Sequence, residues 1–501
     1  MPGLSNWSRR LSHRLKAAQG KLSVGYIIYG MAMGVAGVAQ VVLFFVAAKW
    51  MTVAEFGLVG VLLIALPLIS RALVLGIDTG YAMRIWRVSP REQTQLLGAT
   101  VSAMLISVVL LLLSSVLLTR AVPALRLDVM ALVVLAAATR AMVDLSLVTL
   151  RRSGRVLRVG TIQALRGVFI LLFPLAAFWA QGANALTYLA GLLAAEMATT
   201  LVMLPLLHQT SQLQIFQPGW RAEALAMLKL GGPGMPMMLA MLLTASGDRF
   251  VIASVLGLSA VAVYTLGQKF AEYLVQIVFA PFSAALGPIA WQRAAHDMAE
   301  SARLLNRAAA LLICAGGAVV GFVAVGIREA ISHGYGADYA DSAVVFLWVA
   351  FAVVAAQVAQ VFASYFSHAE KLVVPMKIYL SATIGMLLAN YALAAHVGVV
   401  GVAAISAVTY ALVIGLVVWS ARKQGGDLWR LRQHFAPLFI YALFLCLVGL
   451  VDTTTWSSLM AVSFKLLLWG AFVCTLLRIS NEFRSAVMGM LQRLTASLRP
   501  V

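Results

Sequence analysis

Charged residues are scarce in this sequence. They make up 11% of the chain, whereas hydrophobic residues make up 62% and the mean hydropathy is +0.94. An average soluble domain is about 25% charged, so this composition excludes a water-soluble globular fold. The apolar runs provide room for about 14 helical spans of about 20 residues each. The sequence therefore predicts an all-α membrane protein that crosses the bilayer many times.

Cysteines and catalytic signatures are also few. The three cysteines, Cys314, Cys446 and Cys474, lie in apolar runs without the spacing of a metal site. They are interpreted as small buried hydrophobes. The sequence contains no Walker motif, no cluster of metal ligands and no nucleophile triad. We therefore expect no enzyme, no cofactor and no bound metal.

Acidic residues are outnumbered by basic ones, 18 to 37, which gives a formal net charge of +19. In a soluble domain this excess would suggest a nucleic-acid partner. Here the basic residues collect in every second connection, about 25 on one side of the membrane against about 4 on the other. The positive-inside rule explains this asymmetry. It predicts an even number of spans, both termini in the cytoplasm and no nucleic-acid partner. The first apolar run, 24–48, is too long for a cleaved signal peptide and is expected to be a retained span.

The predicted organisation has two lobes of six helices and several flanking segments. The parts are a basic cytoplasmic lead-in at 1–23, six spans at 24–207, a cytoplasmic linker at 208–228, six spans at 229–420, two additional C-terminal spans at 421–478 and a basic cytoplasmic tail at 479–501. A faint repeat aligns residues 54–58 with 260–264 at an offset of about 206 residues. An even number of spans separates the copies, so the two lobes should be pseudo-symmetric and share one orientation.

Four charges interrupt the apolar stretch 231–278: Asp248, Arg249, Lys269 and Glu272. A charge at membrane depth costs roughly 2.5–3.5 kcal/mol, so these side chains should face one another, a wet cavity or a cargo. Lys269 and Glu272 are three apart on one helix and can pair in place. Asp248 and Arg249 point about 100° apart and need partners elsewhere, for which Asp248–Lys269 or Arg249–Glu272 is a natural pair between adjacent helices. The group is interpreted as a gating or ion-coupling network, together with Asp144, or as a structural clamp.

Three arginines lie inside predicted spans of the first lobe: Arg71, Arg140 and Arg166. Arg140 can pair with Asp144, four residues further along the same helix. That pairing would leave Arg71 and Arg166 as the least compensated charges. Because a guanidinium binds phosphate oxygens through two parallel hydrogen bonds, all three are candidate substrate-binding residues. The alternative is that they snorkel to the interface or form structural pairs.

Three prolines are candidate hinges. Pro67 lies in the second predicted span, where a proline removes a backbone hydrogen bond and kinks a helix; a loop is expected after this span, at 78–94. Pro233 and Pro236 lie in GGPGMPMM at 231–238. Kinks there could permit motion of one lobe, although Pro233 also suits the first turn of a helix.

Two stretches carry a family resemblance, TVAEFGLVG at 52–60 and GDRFVIASVLGLSAVAVYTLGQKF at 247–270. Over roughly residues 20–420 the chain resembles the polysaccharide transporter group of the multidrug/oligosaccharidyl-lipid/polysaccharide (MOP) exporter superfamily, the bacterial O-antigen and exopolysaccharide flippases. The resemblance implies two six-helix lobes with an optional pair of extra C-terminal spans. It also implies alternating access of the two lobes to the two sides of the membrane.

By this resemblance, the cargo is an oligosaccharide on undecaprenyl pyrophosphate, moved across the bacterial inner membrane for O-antigen or exopolysaccharide synthesis. The implied partners are this lipid-linked substrate, membrane lipids, and the polysaccharide polymerase and export machinery. Two alternatives in the same superfamily stay open, a lipid II flippase and a cation-coupled multidrug exporter. An excess of arginine over acids in spans 2–6 argues against the exporter. A membrane glycosyltransferase is disfavoured because it would need a large polar loop with paired carboxylates.

Overall fold

The computed structural model describes residues 34–497, apart from 86–87, 122–126, 153–155, 212, 276–278, 280–281, 284–285, 287–289, 291–292, 295–296, 370, 372, 429–430 and 453–456. Within these residues the regular elements are helices, and no strand is found. The predicted all-α fold class is confirmed. The predicted lead-in at 1–23 lies outside the described residues.

The helices are numbered in chain order. They are α1 Gly34–Trp50, α2 Val53–Val74, α3 Ile77–Arg84, α4 Pro90–Ala121, α5 Leu127–Arg152, α6 Val156–Gln181, α7 Ala185–Ser211, α8 Trp220–Gly231, α9 Met235–Ser246, α10 Asp248–Val255, α11 Leu258–Leu274, α12 Met298–Leu311, α13 Gly317–Tyr335, α14 Asp341–His368, α15 Val373–Lys423, α16 Ala436–Asp452, α17 Ser458–Ile479 and α18 Asn481–Ser497. A 3₁₀ turn, Gly232–Gly234, joins α8 to α9.

The helical spans follow from the apolar runs, because in lipid every backbone polar group must be paired inside its own segment. Eleven helical segments of the described chain are long and apolar enough to cross a membrane, so this is a multi-pass membrane protein. Helix α15 has 51 residues and is interrupted at Gly398, where φ is 64°. Its length of about 76 Å is more than twice a hydrocarbon core of about 30 Å, so it comprises two spans. Helices α1 and α11 are shorter, and the predicted number of fourteen spans stays a prediction.

The described residues form two compact units. The first contains the described residues up to Trp50 together with Ala65–Met235, and the second contains Met51–Ile64 together with the described residues from Pro236 onward. Helix α2 therefore begins in the second unit and ends in the first. In the first unit, α8 packs against α3 and α4 and includes part of the stretch expected to be a linker. The predicted lobe boundaries and lobe symmetry stay predictions.

The two stretches that carry the family resemblance lie against each other in the second unit. A Cβ atom at Gly57 would overlap the backbone carbonyl of Leu258, and one at Gly60 would overlap the hydroxyl of Thr265. The first part of α2 and the start of α11 can approach this closely only because both positions lack a side chain. The glycines of FGLVG therefore have a packing role.

The prediction for the cysteines is correct for only one of the three. Cys314 is buried, whereas Cys446 on α16 and Cys474 on α17 are exposed. The prediction that these two are buried is wrong, because lipid is as apolar as the protein interior and a membrane helix can keep an apolar face outward.

Candidate functional site

A cavity of about 320 Å³ lies within the first unit. Its wall contains both polar and apolar side chains; the polar ones are Ser70, Arg71, Asp78, Thr79, Asp144 and Gln163. They come from the end of α2, the start of α3, and from α5 and α6. Charged groups are costly within the hydrocarbon region unless they face a partner, water or a cargo. This cavity is therefore the candidate site for a polar cargo.

The pair at the α2–α3 corner is set by local chain geometry. Arg71 Nη1 donates to Asp78 Oδ2 at 2.5 Å. The chain turns between them at Leu75 and Gly76, whose φ angles are 49° and 84°. Glycine adopts this left-handed conformation without steric cost, and a Cβ on Gly76 would also come within 2.9 Å of the Gly231 backbone. The turn returns Asp78 to the end of α2, where it meets Arg71.

Arg166 on α6 is held by acids from two other helices. Its Nη2 donates to Glu196 Oε1 at 2.6 Å and its Nε donates to Glu196 Oε2 at 3.0 Å, a two-point bond to α7. Its Nη1 donates to Asp144 Oδ1 on α5 at 3.2 Å. The side chain of Glu196 is 8% exposed and that of Asp144 is 51% exposed. Glu196, Arg166 and Asp144 thus form a continuous series of ion pairs. Glu196 is its buried end, and Asp144, its exposed end, lies at the cavity wall.

The predicted pairing of the first-lobe arginines is wrong. Arg140 does not pair with Asp144; it is half-buried and makes no hydrogen bond or ion pair with any part of the chain that the structure describes. Arg71 and Arg166, expected to be the least compensated, both have carboxylate partners. Asp144 bonds to Arg166 instead of Arg140 because Glu196 already fixes the planar guanidinium of Arg166, so a pre-oriented donor faces α5. Whether these arginines bind substrate stays a prediction.

In the second unit, Arg249 is the centre of a buried cluster. It is 1% exposed. Its Nε donates to Gln268 Oε1 at 2.9 Å, its Nη1 to the Gly60 carbonyl at 3.2 Å and its Nη2 to Glu272 Oε1 at 3.4 Å. Glu272 also accepts a short hydrogen bond from Lys269. The predicted pairs Arg249–Glu272 and Lys269–Glu272 are confirmed, and their role as a gate or ion-coupling network stays a prediction.

Asp248, the neighbour of Arg249, faces a different set of groups. Its Oδ2 accepts a short hydrogen bond from the Tyr264 hydroxyl and another from Ser406 at 3.3 Å. Its Oδ1 is buried and has no hydrogen-bond partner within the described part of the chain. The alternative pair Asp248–Lys269 is not formed. Tyr264 and Lys269 are five residues apart on α11, so they point about 140° apart, and Asp248 meets the Tyr264 side.

The three candidate hinge prolines occupy different helical positions. Pro67 lies inside α2, which continues past it. Pro233 lies in the 3₁₀ turn Gly232–Gly234, and Pro236 is in the first turn of α9. A 3₁₀ stretch within a helix often marks a hinge, and the chain passes between the two units at residues 64–65 and 235–236, next to these prolines. The hinge role stays a prediction.

Most of the uncharged hydrogen-bond partners at these sites, and one acid, Asp78, were not predicted from the sequence. Asp78 lies in the stretch expected to be a loop, and it meets Arg71 through the turn at Leu75 and Gly76, not through the spacing of a single helix. Gln268, Tyr264 and Ser406 gave no signal, because polar residues of this kind occur widely in membrane helices. Their roles depend on which helices pack together.

Comparison with known proteins gives one family match. The family model described as "Polysaccharide biosynthesis protein" matches residues 46–343. Among curated protein sequences, none matches this chain.

Solved structures of several transporters are similar to this chain. The lipid II flippase MurJ in its inward closed conformation aligns with a TM-score of 0.66 and 11% identity, over 90% of this chain and 99% of its own. An inward-facing multidrug resistance MATE family transporter of the MOP superfamily aligns with a TM-score of 0.59 and 14% identity, over 81% of this chain and 97% of its own. A MOP superfamily transporter from Pyrococcus furiosus, described as having a binding pocket of reverse polarity, aligns with a TM-score of 0.55 and 12% identity, over 80% of this chain and 95% of its own. At identities this low, the structural similarity shows that these proteins and this chain share a fold.

Proposed function

Because this chain belongs to the family of polysaccharide biosynthesis proteins, we propose that it is a flippase for a lipid-linked oligosaccharide. The family match includes both stretches that carry the resemblance to polysaccharide transporters, and that predicted resemblance is confirmed. The proposed cargo is an oligosaccharide on undecaprenyl pyrophosphate, moved across the bacterial inner membrane for O-antigen or exopolysaccharide synthesis. In this proposal both termini are cytoplasmic, and the polymerase and export machinery receive the product.

The observation that supports this proposal is the polar cavity within the first unit. A glycan and a pyrophosphate both need hydrogen-bonding partners when they leave water, and an apolar wall would supply none. The wall presents Arg71, Asp78 and Asp144, and the helices that carry Arg71 and Asp144 are long and apolar enough to cross a membrane. Arg140, half-buried and without a partner in the described residues, adds a cation one helical turn from Asp144. This cation is the candidate group for the pyrophosphate, since a guanidinium without a carboxylate partner keeps its donors for phosphate oxygens.

A second candidate function, export of cationic drugs, is favoured by the acids at the same site. The charges in and around the cavity balance three to three: Arg71, Arg140 and Arg166 against Asp78, Asp144 and Glu196. The predicted excess of arginine in spans 2–6 does not extend to this site, because Asp78, from outside those spans, joins it. Carboxylates on a cavity wall attract cations, so the drug exporter stays a candidate. A lipid II flippase is the third possibility, since MurJ has a similar fold.

The test is the analysis of lipid-linked intermediates in a strain that lacks this protein. Loss of surface glycan, with undecaprenyl-linked repeat units accumulating on the cytoplasmic side, supports the proposal. Accumulated lipid II with cell lysis supports the lipid II flippase instead. Unchanged glycan with new sensitivity to cationic dyes supports the drug exporter. Expression of the wild-type chain in the same strain must reverse the phenotype.

A further inference from the structure

We propose that the cavity of the first unit holds a sugar ring of the cargo through its hydroxyl groups, with the carboxylates of Asp78 and Asp144 as acceptors, and does not hold the pyrophosphate. This inference rests on the proposed flippase function and assigns one part of the cargo to one site. The glycan and the pyrophosphate headgroup would therefore contact different residues.

Each of the two acceptor carboxylates accepts a hydrogen bond from an arginine, which holds it in place. Asp144 uses Oδ1 to accept from Arg166 at 3.2 Å, and its side chain is half exposed, so Oδ2 is available to a ligand in the cavity. Asp78 accepts from Arg71 at 2.5 Å and from the Thr79 hydroxyl at 3.4 Å. Such bracing fixes the direction of each carboxylate before a ligand arrives, which reduces the entropy cost of binding. The same arrangement therefore occurs twice on one cavity wall.

The charge of the wall favours hydroxyl groups over phosphate. The residues that line the cavity carry one positive charge, on Arg71, and two negative charges, on Asp78 and Asp144. Arg166 and Glu196, which are bonded to Asp144 and to each other, add one charge of each sign, so the wall and its bonded partners keep a net charge of −1; Arg140, which balances the wider site, is outside the wall. A pyrophosphate would meet like charge here, whereas sugar hydroxyls donate to carboxylates without any charge repulsion. Hydrogen bonds to charged groups are also stronger than those between neutral groups.

The uncharged part of the wall suits the same ligand. Ser70, Thr79 and Gln163 supply hydroxyl and amide groups that can both donate and accept. A volume of about 320 Å³ is at the lower end of ligand pockets, which run from about 300 to 1,000 Å³. The cavity therefore admits a small part of a glycan. Arg140 is not part of its wall and remains available for the headgroup.

The experiment compares two lipids that share one headgroup. The full-length protein in lipid nanodiscs is titrated with the glycan-bearing lipid extracted from a strain that lacks this protein, and separately with undecaprenyl pyrophosphate without sugar. Asp144→Asn keeps the size of the side chain and removes its charge, while Arg166 retains its two-point bond to Glu196. Asp341→Asn, an exposed acid at the start of α14, is the matched control.

We expect Asp144→Asn to raise the Kd for the glycan-bearing lipid roughly tenfold or more and to leave the Kd for the bare lipid within about twofold. Asp78→Asn should behave in the same way, and it serves as the second variant if Asp144→Asn is not monodisperse. Asp341→Asn should change neither Kd. Equal weakening of both lipids, or an unchanged Kd for the glycan-bearing lipid, would overturn the assignment of the cavity to sugar. If the wild-type protein binds neither lipid, the flippase proposal fails and this inference fails with it.

Discussion

Arg249 donates a hydrogen bond to the backbone carbonyl of Gly60 at 3.2 Å, although the two residues are 189 positions apart in the sequence. This bond joins α10 to the first part of α2 at the point where the two stretches of family resemblance meet. It requires close packing, which the absence of side chains at Gly57 and Gly60 permits. Gly57, Gly60 and Arg249 thus belong to the same tightly packed region of the second unit.

Replacing Gly57 should destabilise the second unit. A Cβ at this position would overlap the carbonyl of Leu258, and a backbone atom cannot move aside as a flexible side chain can. We expect Gly57→Ala to cost about 1–3 kcal/mol, as overpacking does elsewhere, and to lower the midpoint of thermal unfolding in detergent. Gly385→Ala is the control, because no atom beyond its own chain neighbours and helix backbone lies within 4 Å of its Cβ position, and alanine is a better helix former. A Gly57→Ala protein that melts with the wild type would contradict the packing role.

Removing Arg249 should be far more costly than removing an exposed arginine. Arg249→Met would remove the hydrogen bonds to the Gly60 carbonyl and to Gln268 Oε1 and would leave Glu272 only Lys269. Breaking a buried ion pair costs about 3–5 kcal/mol. The control is Arg303→Gln, whose side chain is 63% exposed and 3.6 Å from Asp297, and which should cost at most about 1 kcal/mol. The cost of each substitution is measured as the change in the free energy of unfolding when sodium dodecyl sulfate is titrated into mixed micelles. Similar costs for the two variants would argue against a buried cluster.

The Arg166–Glu196 pair should show strong coupling between its two members. Arg166→Met leaves Glu196 buried without a cation, and Glu196→Met leaves the guanidinium with Asp144 alone. Each single change is expected to cost about 3–5 kcal/mol, whereas the double change should recover much of that loss, because no buried charge is left unpaired. A double-mutant cycle on the unfolding free energy measures the coupling. Additive costs would mean that the two side chains act independently.

Arg140 should be needed for transport but not for stability. Arg140→Gln removes no ion pair, since the described residues provide none, so the unfolding midpoint should stay the same or rise. Transport of the glycan-bearing lipid in proteoliposomes should fall about tenfold or more if the guanidinium binds the pyrophosphate. Arg158→Gln, an exposed arginine at the start of α6, is the control and should transport normally. Unchanged transport by Arg140→Gln would remove this residue from the cargo path.

A second buried cluster should attach α16 and α17 to the rest of the second unit. Lys465 on α17 is fully buried and donates to Glu329 at 2.9 Å and to Asp452 at 2.9 Å. Lys465→Met would leave Asp452, which is 6% exposed, without its main cation and should cost about 3–5 kcal/mol. Arg328→Gln is the milder control, because Arg328 is 47% exposed and 3.9 Å from Asp452. Lys465→Met should be cleaved faster between α16 and α17 in limited proteolysis than the wild type. Cleavage at the wild-type rate would contradict the proposed role of this cluster.

Helical spacing and direction predicted some of the ion pairs correctly and others wrongly. The spacing of Lys269 and Glu272 indicated their bond, and the direction of Arg249 indicated a partner on the next helix; both bonds are present. The same spacing rule suggested Arg140–Asp144, which is not formed. Helical spacing shows that two residues share a face, but a better oriented partner on a neighbouring helix can take one of them.

The sequence by itself determined the class of this protein, the helical form of its apolar runs and its family resemblance. Low charge and long apolar runs require membrane helices, because lipid offers the backbone no hydrogen bonds. Only the tertiary structure decided which arginine is compensated and which carboxylates face the cavity. Asp144 bonds to Arg166, and Asp78 comes back to Arg71 through a turn at Gly76. These outcomes depend on the approach of helices that lie far apart in the sequence, and the energy of a charge inside a membrane depends on its nearest partner.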